Sequence, residues 1–460
     1  MQRVFLTLLL VLCGLYAVAE LTRSRPSDPG IVYLRWATDP SPGRRDQVKP
    51  FEQMNPDIKV VPDPGMGNDQ TKLIVQCATG VGPDIIDIDN IAAMGGLVEA
   101  GILLDLTPYA TQMGFGPEST YPEIRDALLV EGRQYRFPCN VYALSVIYNT
   151  QIFRECGVPL PQRGWTWDDL IATGKQIKAH PRAGGSRYIP VANVSSWAFM
   201  IELIMEHGSH FYRDHGLRSD LASPGAVAAM QLYYDLLYVH QVIPSKLEAQ
   251  QYYSQGGWGD GGANWFAGER ASMLLLGRWF ELLVPSFPEI RGKLGAIPLP
   301  QPNRNLPPLS RCDTRAAGIN AKSPHRREAL KFVQYLASVE YGRTIVDSGE
   351  ALPPNPALAR TGADLVNEIE PDPAFHQAFI DQLHQSRVMD ISPFIDPQQV
   401  ILWLTEKIDH VESKAITPRE AMTRLAREVD ERIRLNLARR PDLQRKFEAA
   451  TGKPYQPNWK

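Results

Sequence analysis

The stretch Tyr135–Asn149, YRFPCNVYALSVIYN, constrains the fold more than any other part of the chain. It is apolar and aromatic, with Asn140 and Tyr142 set inside it. Pro138 has no N–H to give a sheet ladder and argues against a central strand at that position. Val141, Leu144, Val146, Ile147 and Tyr148 favour an extended segment directly after it. Such a segment reads as a crossing between two lobes. Beyond it Thr166 supplies an N-cap oxygen for a helix, and Asp169 takes the N3 place of a capping box that usually carries Glu or Gln.

Length agrees with two lobes, because 460 residues exceed one ordinary core and divide into domains of roughly 150–200 residues. The net charge of −3 gives no basic field, which excludes nucleic acid as a partner. At the amino terminus Arg3 precedes an apolar run from Val4 to Val18, and Ala17-Val18-Ala19 has the small-x-small form of a signal-peptidase site. Residues 1–19 therefore read as a signal peptide or N-terminal anchor, with a mature chain beginning near Glu20. The run is short for a membrane span of about 20 residues. Cys13 opens a second reading as a lipoprotein cysteine, against which the large Leu12 counts. Past the leader, Cys77, Cys139, Cys156 and Cys312 remain. Export permits disulfides, and four cysteines allow three complete pairings; buried free thiols fit equally well. No C-x-x-C supports a zinc or thioredoxin-type site.

Ile31–Trp36 reads as a strand, Asp46–Met54 as a helix with Pro50 in its first turn, Ile58–Val61 as a strand and Gln70–Ala78 as a helix closed by Gly80. Pro83–Asn90 follows, where Ile86 and Ile88 alternate with Asp87 and Asp89 so that the two carboxylates share one face at the end of a strand. This rhythm is that of a parallel sheet. Ligands of such sheets bind beyond the carboxyl ends of strands, where Trp36–Asp39 and Asp87–Asn90 both fall. Trp167–Ala179 is helical, Tyr188–Val194 a strand leading to Trp197, and Ala226–Tyr238 a buried helix. Gln255–Gly262, QGGWGDGG, lacks the lysine of a phosphate loop and reads as a flexible rim carrying Trp258. Ser323-Pro324 caps a helix. Thr417-Pro418-Arg419-Glu420 is a full capping box ahead of a stripe of Ala421, Leu425, Val429, Ile433 and Leu437. The polar residues after Leu437 are expected to lie on the surface or fray.

Four phrases carry a family resemblance. The first runs from Gly132 to Leu170: G-x-x-Y-x-x-P, an apolar run ending Tyr148-Asn149, then G-V-P-x-P and T-W-D-D-L. The others are Gly96–Leu106, the segment Phe266–Met273 with Gly277-Arg278-Trp279 and Gly295–Pro300, and Ala316–Ala321. Together they resemble the family-1 extracellular solute-binding proteins of ABC importers, the maltose-binding-protein-like group, over about Ile31 to Ile433. The resemblance implies an α/β, two-lobe periplasmic-binding-protein fold, type II-like, with a ligand cleft between lobes joined by hinge segments. Lobe 1 would comprise 30–139 plus 314–348 and lobe 2 140–313 plus 349–460. Crossings fall near Cys139–Tyr142, Arg311–Ala316 and Ser348–Leu352, so that Cys139 and Cys312 are expected to lie close. A monomer in the periplasm or another extracytoplasmic space, free or anchored through its N-terminal segment, follows, with a membrane permease as partner and no cofactor. In this family the tryptophan of the third phrase faces the ligand, an aromatic stands near Trp197, and a helix-borne tryptophan like Trp403 stacks on sugar. Tyr142 departs from the acidic ligand residue of the maltose-binding protein, which points away from maltose itself.

No catalytic constellation is present: no G-x-S-x-G, no H-E-x-x-H, no Walker loop and no dinucleotide fingerprint. Asp87 and Asp89, on one face, cannot bracket a scissile glycosidic bond, and His180, His207, His210 and His215 have no recurrent ligand spacing. Binding is better served. Rings cover the CH-rich faces of a pyranose while fixed polar groups pair with its hydroxyls. The candidates are Trp36, Asp39, Arg44, Asp87, Asp89, Asn90, Tyr142, Trp197, Trp258, Arg278, Trp279 and Trp403. Trp36 and Trp403 read equally well as core and Asp89 and Asn90 as a strand end, while Asp39 and Arg44 read better as solvated loop than as ligand residues. The expected function is capture of a sugar or oligosaccharide for an ABC importer. An exported glycan-acting enzyme, or a binder of glycerol-phosphate, an oligopeptide or another non-sugar solute, are the alternatives.

Overall fold

The computed structural model describes residues 28–64, 70–182, 187–192, 197–245, 247–249 and 261–457, together with Gly14. The fold is α/β with two lobes, each built on its own sheet. The first sheet has five strands in the order Ile58–Asp63, Val32–Ala37, Ile85–Ile88, Ala316–Ile319, Phe137–Pro138. Its first three strands are parallel and Ala316–Ile319 runs antiparallel to both neighbours. Pro138 sits in a two-residue edge strand, where its missing N–H leaves no ladder partner unpaired. The second sheet orders Leu294–Ile297, Ser145–Asn149, Ala271–Leu276 and Ile189–Ala192. Between them lies a small sheet of Ser386–Arg387, Ser310–Asp313 and Tyr142–Ala143.

Local chemistry explains where the elements start. Thr166 and Asp169 form the reciprocal capping box that opens Trp167–Ala179. The first helix begins at Arg44 rather than Asp46, so Pro50 falls inside it. The carbonyl that Pro50 cannot bond belongs to Asp46, an exposed residue, where an unmade helix bond costs less than in the interior. Ser323 does not cap a helix. Its hydroxyl donates to Asp84 at 2.6 Å and accepts from the His325 N–H at 3.0 Å, making a turn before the helix Arg326–Leu336. At Thr417 the hydroxyl accepts from the Glu420 N–H at 3.3 Å, while the Glu420 carboxylate turns to Arg424 at 2.5 Å instead of back to the cap. Ala226–Tyr238 is the α-helix Pro224–Tyr234 continued by one π-turn, Asp235–Val239.

Ala421, Leu425, Val429, Ile433 and Leu437 are all buried in the core of the second lobe. The tail after them does not fray. Pro441–Thr451 is a further helix whose Leu443 and Phe447, one turn apart, are buried, and Tyr455 packs edge-on against Phe447 at 5.7 Å. In the first lobe Phe332 meets Trp36 and Phe51 edge-on, both at 5.2 Å.

The four described cysteines are free. The Cys139 and Cys312 segments do run side by side, but Cys312 stands opposite Ala143 and the Cys139 N–H reaches Arg315 O at 2.7 Å. That register separates the thiols: Cys139 approaches Asp87 in one core and Cys312 donates to Glu123 O in the other. The leader, Cys13 and Trp258 lie outside the described residues. Among the described residues no helix is long and apolar enough to cross a membrane. Phe447→Ala is expected to cost about 3 kcal/mol in urea unfolding, as for a buried phenylalanine; a change under about 0.5 kcal/mol would show that the last helix adds nothing to the core.

Candidate functional site

Three chain segments cross between the lobes and are stitched together by backbone. Val141 and Leu352 exchange two hydrogen bonds of 2.9 Å each, Cys312 and Asp313 pair with Ala143 and Tyr142, and the Thr314 hydroxyl donates to Asn140 O at 2.5 Å. Glu350, 2% exposed, stands at their meeting point. Its carboxylate accepts from Arg44 at 2.6 Å, Arg315 at 3.2 Å and Asn140 at 2.7 Å, and from the Gln47 amide. Burial alone would raise this carboxyl, but the Arg44 and Arg315 guanidinium groups outweigh it and hold it down at about 2. Arg315 continues to Asp87 at 2.7 Å, and Arg44 to Asp39 at 2.5 Å. Asp87 also accepts from the Trp36 indole at 2.6 Å and the Thr38 hydroxyl at 2.5 Å.

A cavity of about 560 Å³ opens beside this network. Asp39, Asp89 and Asn90, just past the carboxyl ends of first-sheet strands, line it together with Tyr142, Trp197 and Trp279. Tyr142 and Trp279 meet edge-on at 5.2 Å. The Arg311 guanidinium lies 5.7 Å over the Tyr142 ring and 5.8 Å over Trp197, and the Tyr142 hydroxyl donates to Asp89 O at 3.2 Å. Asn90 caps the helix Ile91–Glu99 by accepting from the Ala93 N–H at 3.0 Å. Gly277 is required by close approach: a Cβ there would lie 1.8 Å from the Trp279 ring. Burial in the cleft wall, followed by the neighbouring Asp87 carboxylate, pushes Asp89 up to about 6. Its side chain is open to water within the cavity, but protein on several sides keeps that water from screening like bulk solvent.

Of the sequence candidates, the structure brings Asp39, Arg44, Asp89, Asn90, Tyr142, Trp197 and Trp279 to the cavity. Four others are elsewhere. Trp36 is 0% exposed, its indole N–H spent on Asp87 and its ring in the first-lobe core, so it presents no face to a ligand. Asp87 has its acceptors occupied by Trp36, Thr38 and Arg315. Arg278 is 1% exposed and serves the interior, donating to Ala351 O and Leu365 O at 2.8 Å each and pairing with Glu281 at 3.0 Å. Trp403 packs from the helix Pro397–Glu412 against the second-lobe core, under Arg432 at 5.6 Å. Sequence reasoning missed Asn140, Arg311, Arg315 and Glu350, although all four fall in the expected crossing segments. Charge or amide inside an otherwise apolar crossing was the available signal. Among the described residues no group of three His, Cys, Asp or Glu side chains could hold a metal ion.

A sequence profile for the family described as bacterial extracellular solute-binding protein matches residues 38–343. The chain belongs to that family. It is 27% identical over 174 residues to the arabinooligosaccharide-binding protein of Halalkalibacterium halodurans, 37% of this chain and 36% of that protein. To the diacetylchitobiose binding protein DasA of Streptomyces coelicolor it is 23% identical over 295 residues, 63% of this chain and 64% of that one. The chain thus spans about a third of the first relative and just under two thirds of the second. Among solved structures, an ABC substrate-binding protein of Listeria monocytogenes in complex with cycloalternan superposes with a TM-score of 0.73 at 20% identity, covering 87% of this chain and 98% of that one. MalE of Bdellovibrio bacteriovorus bound to maltotriose gives 0.69 at 18%, covering 88% and 100%. At such identities the superpositions establish the two-lobe fold.

The electrostatic centre generates a prediction. Because the Glu350 carboxyl is depressed, its contribution is present above its ordinary value of 4.5 and is lost as pH falls toward about 2. Glu350→Gln leaves two buried guanidinium groups underpaired and is expected to cost about 3–5 kcal/mol at pH 7. Urea unfolding from pH 7 to 2 should show wild type losing part of its advantage over the variant across that window; parallel curves would remove Glu350 from the acid linkage.

Proposed function

We propose that the protein is an extracytoplasmic solute-binding protein that captures a sugar or oligosaccharide between its lobes and delivers it to the permease of an ABC importer. The observation that carries this reading is the cavity itself, in which the rings of Trp279, Tyr142 and Trp197 stand beside the polar groups of Asp39, Asp89 and Asn90. Flat rings suit the CH faces of a pyranose, and carboxylates and amides suit its hydroxyls. The relatives named for arabinooligosaccharide and diacetylchitobiose support the same class of ligand. Lobes of 30–139 plus 314–348 and 140–313 plus 349–460 are supported by the strands of each sheet, which fall within one range. Ligand held by both lobes favours the closed state by its differential affinity, and the closed form is what a permease would read. We place the protein outside the cytoplasm as a monomer, exported by the leader of residues 1–19.

Two alternatives lose support from the site. For glycan hydrolysis Asp89 would need a second free carboxylate across a scissile bond, but Asp87 is fully engaged. For a glycerol-phosphate ligand free guanidinium groups would be needed. Arg44 and Arg315 are committed to carboxylates and Arg278 lies away from the cavity.

Trp279→Ala tests the reading. Loss of a stacking ring is expected to weaken sugar binding about tenfold to a hundredfold, taking stacking as worth roughly 1–3 kcal/mol. Its melting temperature should change little, because a half-buried cleft ring leaves no sealed cavity. Gly277→Ala, which drives a methyl into the same ring, should weaken binding in the same direction. The ligand itself is found by thermal shift against mono- and oligosaccharides, since saturation at a hundred times Kd adds about 2.7 kcal/mol. Unchanged affinity together with a large fall in melting temperature for Trp279→Ala would make the ring core rather than binding surface.

A further inference from the structure

The charges around the cavity do not cancel at one point. Arg44 is paired with Asp39 and Glu350, and Arg315 with Asp87 and Glu350. Arg311, the remaining guanidinium of the wall, has Glu202 and Asp313 each at 3.6 Å. Two rings already lie against it, and its Nε is the atom that faces Glu202. Asp89 differs from all the other wall carboxylates. Only its backbone oxygen is engaged, by Tyr142, and no described residue gives its carboxylate a hydrogen bond or an ion pair, although the side chain is exposed in the cavity.

A carboxylate is acceptor-only, so it is satisfied by hydroxyl or amine donors and by nothing anionic. Low-dielectric walls focus its field into the cleft. We infer that Asp89 sets the charge of the ligand, so that the cleft takes a donor-rich neutral or amino sugar and rejects one bearing a carboxylate or phosphate. This rests on the carbohydrate reading above and narrows it. With two unit charges about 5 Å apart at an effective dielectric near 20, the discrimination should be roughly a hundredfold.

Titration gives a second handle. Asp87, Asp39, Arg315, Arg44, Arg136 and Tyr142 are the charged and titratable groups that face Asp89, and within that setting its carboxyl takes up a proton as pH falls through about 6. A uronate keeps its charge to about pH 4. Discrimination between a neutral sugar and its uronate should therefore be large at pH 7.5 and shrink at pH 5.

The experiment is calorimetry of the full exported chain with glucose- and N-acetylglucosamine-based oligosaccharides, each beside its C6-oxidised uronate, at both pH values, for wild type and Asp89→Asn. The expected result is binding of a neutral member, uronate binding weaker by roughly a hundredfold at pH 7.5, a gap narrowed at pH 5, and a gap small at both pH values in the variant. Equal affinity for a neutral sugar and its uronate, or a gap indifferent to pH, overturns this inference and leaves carbohydrate binding standing. The wild-type pH comparison decides the matter even where Asp89→Asn fails to fold. Preference for the uronate would transfer the role to Arg311. Binding of no neutral member overturns the carbohydrate reading and this inference with it.

Discussion

The Glu350 carboxylate, held between Arg44 and Arg315, is the interaction on which the rest of the molecule depends. Burying three charges is expensive, and their attraction repays the cost only when every remaining lone pair and proton is satisfied. Here Asn140 and Gln47 take the lone pairs the guanidinium groups leave, while Asp39 and Asp87 take the far sides of the two arginines. The partners are drawn from the first helix and from the crossings. Arg44 and Gln47 belong to the first helix, Asn140 to the first crossing, Arg315 to the second and Glu350 to the third. One carboxylate therefore fixes the relative positions of all three crossings and of the helix beside the cavity.

Away from that centre the lobes also meet through exposed ion pairs. The helix Ile91–Glu99 starts at the cavity with Asn90 and ends in Glu99, which pairs with Arg440 at 2.5 Å; Lys446 reaches Glu131 at 2.5 Å. These pairs are solvent-exposed and worth about 0–1 kcal/mol each. They add little to the packing of Ala92, from the same helix, into the second-lobe core. Under the binding function proposed above, closure would draw on contacts that both lobes make with a ligand, through the rings around Tyr142 and the polar groups at the ends of the first-sheet strands.

Much of the fold was legible in the sequence because local signals agreed with one another. Thr166 and Asp169 mark the start of Trp167–Ala179, Pro138 marks an edge, and the stripe ending at Leu437 marks a packed helix. The misses have physical reasons. Leu443 and Phe447 sit one turn apart among charged residues, so their helix looked like a polar tail. Trp36 follows Leu34 by two residues, which puts both on the same side of a strand, and that side is the core; its place at the strand's end, beside the cleft, left ligand and core equally open. Arg278 and Trp279 are neighbours with opposite fates, one sealed among carbonyls and the other at the cavity. No pattern local to GRW decides which of the two faces out. The network at Glu350 was invisible for a different reason, since its partners are separated by up to 306 positions.

Tyr142 shows how the hinge and the cavity constrain each other. It lies in the crossing, pairs with Asp313 across the strand, and stands near both Asp89 and Arg311. A carboxylate at this position would crowd Asp89 and Asp313, and would pull Arg311 away from Glu202 toward the crossing. A phenol does neither. Its ring supports the Arg311 guanidinium on one side and meets Trp279 on the other, and its hydroxyl is spent on the Asp89 backbone oxygen. Burial pushes that hydroxyl well above the usual tyrosine range, so it stays a donor at any pH the protein meets. The Asp89 carboxylate is thereby left without a donor among the described residues, and the charge that faces the cavity is set by the choice of a ring over an acid in the strand that joins the lobes.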